Sequence, residues 1–312
     1  MALSTIVVLV LALITTPVAI WIGHHFGTLD HPGHLKVQAA PVPFLGGAAA
    51  FAAIAGPIAV FRPMFLLPLG CALALGTLDD VTDLSARTRL IAEVGIGLMV
   101  ALGESGHGLG GYVWPIVLTA VLINAVNLLD GLDGLASGVG LMSFVGFAVL
   151  LGGDYRSLAL ALAAALAAVL AWNRPPARIY LGDGGSYLIG VTLAILLADA
   201  FRGGGGQSEA WAAALLVGVP VADTTVAIVR RARRGTKLLK GDRGHIYDQL
   251  ITGGASPSRS ALICIAAQAL LVIVAIAISH LMPVAAALTT AVVVIGLGGA
   301  LLARFTAAAT WE

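Results

Sequence analysis

Asn124-Ala-Val-Asn-Leu-Leu-Asp-Gly-Leu-Asp-Gly-Leu-Ala136 lies between two apolar runs, Val113 to Ile123 and Gly138 to Leu151. Two asparagines and two aspartates therefore stand where a membrane helix is expected to end. A carboxylate at bilayer depth costs about 2.5–3.5 kcal/mol on insertion scales, so it needs a reason to be there. Asp130 and Asp133 are three apart, which places them on one face if the backbone is helical. Gly131 and Gly134 follow each aspartate and would admit a ligand close to the backbone.

Composition sets the class. The chain of 312 residues is 59% hydrophobic and 11% charged, with a mean hydropathy of +0.99, which excludes a soluble domain of this length. The reading is an all-α, polytopic transmembrane protein; strand-like alternation, the mark of an outer-membrane barrel, is missing from the sequence. Cys71 and Cys264 stand apart in apolar runs and suggest neither a disulfide framework nor a metal site. No polar stretch is long enough to bury a core of its own, so residues 1–312 form a single membrane domain.

Eleven spans are expected, at roughly 3–23, 44–61, 64–78, 90–103, 113–129, 135–152, 157–172, 186–198, 210–229, 259–279 and 283–303. The first is read as a retained helix rather than a signal peptide, because of its length and the lack of a basic flank. An odd number of spans sorts the loops into two sets. One set, with the C-terminal tail, holds Lys36, Arg87, Arg89, Arg174, Arg178, Arg259, Arg304 and the run from Arg230 to Arg243, which makes 14 of the 17 basic residues. The other holds only Arg62, Arg156 and Arg202. By the positive-inside rule the first set is cytoplasmic, which puts the N-terminus outside and the C-terminus in the cytoplasm.

The carboxylates gather on the same side. Asp79, Asp80 and Asp83 open one inner loop, Asp130 and Asp133 close the opening stretch, Asp183 lies in Gly182-Asp-Gly-Gly-Ser186, and Asp223 precedes the basic run. Like charges this close require protonation or a bound cation. Oxygen donors without thiolate suit a hard ion, most often Mg²⁺ where a phosphate completes the shell, with Mn²⁺ as an alternative. A lone aspartate at a helix end is usually a cap, and Asp223 alone would be read so. The glycines before Ser186 would expose N–H groups that suit phosphate, against the plainer reading of a turn with Ser186 as N-cap.

The inner loop Arg230-Arg-Ala-Arg-Arg-Gly-Thr-Lys-Leu-Leu-Lys-Gly-Asp-Arg-Gly-His245 carries cations that could meet a diphosphate. Lys237, Lys240, Arg243 and His245 are the candidates, while Arg230, Arg231, Arg233 and Arg234 read as topology anchors. His24, His25, His31 and His34 fit no zinc spacing, and Gly203 to Gly206 reads as a loop tip.

Taken together, these residues resemble the polyprenyl-phosphate N-acetylhexosamine-1-phosphate transferases. Leu78-Asp-Asp-Val-Thr-Asp83 is similar to that family's DDxxD segment, Asn124 to Ala136 to its NAxNxxDGxDGLA segment, and Leu181 to Ser186 to its GDxGS segment. Pro220-Val-Ala-Asp223 resembles its PxxD, and Asp242-Arg-Gly-His245 the start of its last motif. That motif usually runs on as HxHH; here it reads His245-Ile-Tyr-Asp248. Asp83, where the muramyl-pentapeptide branch has Lys, places the chain nearer the N-acetylglucosamine branch.

The resemblance implies transfer of a sugar 1-phosphate from a UDP-N-acetylhexosamine to undecaprenyl or another polyprenyl phosphate, with release of UMP. It implies an inner-membrane enzyme whose site faces the cytoplasm, with no nucleic-acid partner and with a homodimer left open. Asp183 would hold Mg²⁺ with Asp80 assisting, and Asp79 would accept or orient the proton of the lipid phosphate. Asn127, Asp130 and Asp133 would bind the nucleotide side, with Asn124 and Ser186 also lining the substrate site. His245 and its basic neighbours would bind the diphosphate. The rival class is a transporter or cation channel using the same carboxylates, disfavoured because they sit at one face.

Overall fold

The computed structural model describes residues 2–32, 40–103, 108–202, 207–236, 244–281 and 298. Its helices are α1 (Ala2–Phe26), α2 (Gly46–Phe61), α3 (Leu66–Thr82), α4 (Ala86–Gly103), α5 (Gly108–Leu129), α6 (Leu135–Leu150) and α7 (Gly153–Asn173). They continue as α8 (Gly182–Phe201), α9 (Gln207–Leu215), α10 (Gly218–Arg233), α11 (Ile246–Thr252) and α12 (Pro257–Leu281). The described strands are the two-residue β1 (Leu29–Asp30) and β2 (Val42–Pro43), paired antiparallel.

The all-α membrane reading holds. Among the described residues six helices are long and apolar enough to cross a membrane, or seven if α9 and α10 form one bent span. Ten of the expected spans coincide with helical segments, although α2 and α6 are short and α4 carries Arg87, Arg89 and Glu93. The last expected span, 283–303, falls outside the described residues apart from residue 298.

α8 is the axis of the bundle. From Gly184 to Ala198 every one of its residues is buried, and α3 and α5 pack along it. Gly76 on α3 lies against the backbone of Asp183 and Gly184, where a Cβ would overlap. In a bilayer, where apolar association gains little, such small residues let helices approach. α2 begins on the loop before α8: the N–H groups of Gly46 and Gly47 donate to the carbonyls of Tyr180 and Leu181 at 2.9 and 3.0 Å. Helix-start donors that no cap satisfies are thus met by a neighbouring loop.

The expected straight span at 210–229 is instead broken, with a 62° bend between α9 and α10. A break exposes backbone groups that lipid cannot satisfy. Gln268 of α12, fully buried, fills it: its Oε1 accepts from Val219 N–H at 3.0 Å, and its Nε2 donates to the carbonyls of Leu216 at 2.9 Å and Leu215 at 3.3 Å.

Loop contacts follow the sorting by charge. At one end Arg62 pairs with Asp154 at 3.4 Å, joining two loops of the weakly basic set. At the other, loops 40–45, 79–85, 130–134 and 174–182 meet one another.

Candidate functional site

Three helix ends build the acidic cluster. α3 runs through Asp79 and Asp80 to Thr82 and stops at the exposed Asp83, whose φ of 50° is left-handed. The aspartate pair therefore lies in a last helical turn and not in an open loop. Likewise, α8 starts at Gly182 rather than at Ser186, so the glycine motif is its first turn. Gly182 has a φ of +70°, a conformation natural to glycine, and a Cβ there would also crowd Asp80 and the Phe44 carbonyl.

Asp80 faces this helix start. Its Oδ1 accepts from Asp183 N–H at 3.0 Å and its Oδ2 from Gly184 N–H at 3.4 Å. A carboxylate at a helix N-terminus is favoured by the free N–H groups there. Asp183 Oδ1 accepts from Asn127 Nδ2 at 2.7 Å, and the same amide reaches Ser186 Oγ at 3.3 Å. Ser186 Oγ donates back to the Asp183 carbonyl at 3.1 Å. Asp183 also feels the charges of Asp80 and Asp79.

Asp79 is buried with both oxygens engaged. Oδ2 accepts from Arg89 at 2.9 Å and from the Tyr187 hydroxyl at 2.8 Å, and Oδ1 from Leu84 N–H at 2.8 Å. This setting suits a residue that orients others more than one that collects a proton.

In the opening stretch, residues 130–134 are non-helical, so Asp130 and Asp133 do not share a helix face as their spacing would allow. Asp133 Oδ2 accepts from Ala177 N–H at 2.9 Å and pins the loop before α8. Asp130 keeps partial solvent contact, yet burial, then the charges of Asp183, Asp80 and Asp133, push its carboxyl up to about 8. The same field acts on Tyr180, whose phenol rises to about 12 through burial and then Asp133, Asp30 and Asp130.

Asn124 turns away from this cluster. Its amide donates to Glu93 Oε2 at 2.6 Å and to the Ala120 carbonyl at 2.9 Å. Glu93 is 1% exposed and is absent from the sequence-derived candidates. A lone acid inside an apolar span was the signal that could have found it.

A second assembly forms on α10. Asp223 is fully buried; its Oδ2 meets His245 Nδ1 at 2.6 Å and its Oδ1 accepts from Ile246 N–H at 2.6 Å. His245 is the N-cap of α11, closing a capping box in which its own N–H donates to Asp248 Oδ2 at 3.2 Å. The Tyr247 ring stacks on it, with centroids 5.5 Å apart and planes 8° from parallel. The Tyr247 hydroxyl donates to the Leu128 carbonyl at 3.3 Å, and its ring lies over Gly131. His245 is thereby docked against the Asn124–Ala136 stretch. Arg230 donates to the Gly244 carbonyl, and Arg230 and Arg231 are both buried. Lys237, Lys240 and Arg243 lie outside the described residues.

Residues 63–200 match the sequence profile described as "Glycosyl transferase family 4". A Bacillus subtilis strain 168 protein named "Probable undecaprenyl-phosphate N-acetylglucosaminyl 1-phosphate transferase" is 31% identical over 284 residues, covering 83% of this chain and 79% of its own length. The chain belongs to this transferase family. A Yersinia pestis relative named "Undecaprenyl-phosphate alpha-N-acetylglucosaminyl 1-phosphate transferase" is 29% identical, over 80% of this chain and 76% of its own. A Mycolicibacterium smegmatis relative, "Decaprenyl-phosphate N-acetylglucosaminephosphotransferase", is also 29% identical, over 76% and 72%. The family profile spans α3 to α8 and so includes Asp79, Asp80, Asn127, Asp130 and Asp183, while the α10 assembly lies beyond it. The relatives lend nothing to the transporter alternative.

Proposed function

We propose that this membrane protein transfers N-acetylglucosamine 1-phosphate, or a closely related hexosamine 1-phosphate, from a UDP-sugar to a polyprenyl phosphate. A phosphate oxygen of the lipid attacks the sugar-bearing phosphorus of the UDP-sugar. The P–O bond to the uridine-bearing phosphate breaks, a new diphosphate joins lipid and sugar, and UMP leaves. The observation that carries this reading is the crowding of Asp80, Asp130 and Asp183 around the start of α8, in a chain whose relatives bear the names above.

Mg²⁺ fits the donors. Asp183 and Asp80 offer only oxygen, and Mg²⁺ commonly takes one or two carboxylates with phosphate and water. Among the described residues no three His, Cys, Asp or Glu side chains form a preset cage, so the substrate diphosphate would complete the shell. The ion supplies charge neutralisation between two polyanions. Asn127 orients Asp183, and Asp79 holds Arg89 and Tyr187. Asp130, with Asp133 behind it, borders the nucleotide side, and His245 with Lys237, Lys240 and Arg243 meets the diphosphate. In this reading the acidic end is cytoplasmic in the inner membrane, the N-terminus lies outside, and eleven spans are completed by 283–303; the excess of basic residues on that side supports it.

The test is release of UMP by purified protein with Mg²⁺, undecaprenyl phosphate and a panel of UDP-N-acetylhexosamines. UMP with one sugar names the donor. No UMP from any sugar, from protein shown to be folded, overturns the reading.

A further inference from the structure

The α10 assembly is more elaborate than a basic membrane anchor needs to be. Asp223 and Arg230 are seven residues apart and both buried, and they hold consecutive parts of one short segment. Arg230 takes the carbonyl of Gly244, and Gln249 Nε2 takes the same carbonyl at 2.9 Å. Asp223 takes the His245 ring and the next backbone N–H. Tyr247 covers the ring's face. Backbone and ring are thus fixed from several directions at once.

With Asp223 as a carboxylate, which only accepts hydrogen bonds, the hydrogen between Asp223 and His245 sits on Nδ1. That leaves Nε2 as the ring nitrogen not held by Asp223, on a side chain 4% exposed. We propose that Asp223 is a positioning residue that fixes the tautomer and the angle of His245, so that Nε2 addresses the diphosphate of the substrate. Arg230 serves the same end by fixing the backbone that carries the ring. When a phosphate oxygen approaches, Nε2 takes a proton from solvent, keeps it, and shares that N–H with the oxygen in a hydrogen bond. The positive ring then lies between two anions, the substrate and Asp223, and the carboxylate needs no rearrangement to meet it. This role rests on the proposed transfer, but the ring orientation does not.

Two measurements separate those levels. The first is nitrogen NMR of ¹⁵N-histidine-labelled protein in detergent, with His245→Gln used to assign the signal. The protonated-Nδ1 form is expected in the wild type, with loss of that pattern in Asp223→Asn. An unchanged tautomer in Asp223→Asn overturns the proposal whether or not the protein releases UMP. The second is a double-mutant cycle on UMP release. Asp223→Asn is expected to lower kcat by about tenfold or more, with Asp223→Glu recovering part of it. In a His245→Gln background the same change should have less than about twofold effect, because it acts through a ring no longer there. Equal losses in both backgrounds would make Asp223 merely structural and overturn its positioning role. If the His245→Gln background is too slow to read, the NMR comparison alone decides.

Discussion

Two carboxylate settings at one end of the bundle differ in how their charge is met. Asp223 is fully buried, with an imidazole and a backbone N–H on its two oxygens. Asp80 and Asp183 take only a few neutral donors, and burial, then the charges of Asp183, Asp80 and Asp133, push the Asp130 carboxyl up to about 8. Burying a charge is tolerable only when it is matched. The matched acid is therefore suited to hold another residue, and the mismatched ones would be relieved by the proposed cation. Asp79, with Arg89 and Tyr187 in hand, belongs with Asp223 in this respect.

The largest test of this contrast is Asp183→Asn. Turnover should fall by at least about 100-fold, since an ion at a developing phosphate charge contributes several kcal/mol. The rise in melting temperature on adding Mg²⁺ should also vanish; an unchanged rise would move the ion elsewhere. Next in size is Gly131→Ala, whose new methyl group would overlap the Tyr247 ring. Overpacking costs about 1–3 kcal/mol, seen as a lower melting temperature in detergent, with partial recovery when Tyr247→Phe removes the hydroxyl. No loss would mean that the His245 segment is not seated on the opening stretch.

Gln268→Leu leaves three backbone groups at the α9–α10 break without partners. It should destabilise by about 1–3 kcal/mol while leaving the activity of the folded fraction near that of the wild type. A pH-dependent effect is expected from Asp130→Asn in metal-free protein. The folded state raises this carboxyl to about 8 from an ordinary value near 4, so it disfavours the charged form. The stability this gives is full below about pH 4 and is lost as pH rises toward about 8. Melting temperature should therefore decline with pH in the wild type and decline less in the variant. Equal slopes would show that Asp130 does not feel its neighbours.

Much of this was legible in the chain. Hydropathy and the placing of basic residues marked out the helices, because bilayer insertion reads composition over windows of about 20 residues. The motifs named Asp80, Asp183 and Asn127, which tertiary contacts unite across α3, α5 and α8. What stayed hidden depended on partners far apart in sequence. Glu93 meets Asn124 from 31 residues away, and the Arg230 guanidinium turns to the Gly244 carbonyl. The backbone groups at the break between α9 and α10 find their partner in Gln268 on another helix.

By itself, the sequence determined an all-α membrane protein with acids and bases gathered at one end, since those properties are sums over residues taken singly or in short runs. Only the tertiary structure decided which acids are matched and which are not, because that depends on the directions and distances of hydrogen bonds between helices. That distinction separates the ion's proposed ligands from the residues that hold Arg89 and His245 in place. It also divides the opening stretch, pairing Asn124 with Glu93 of α4 and Asn127 with Asp183 of α8.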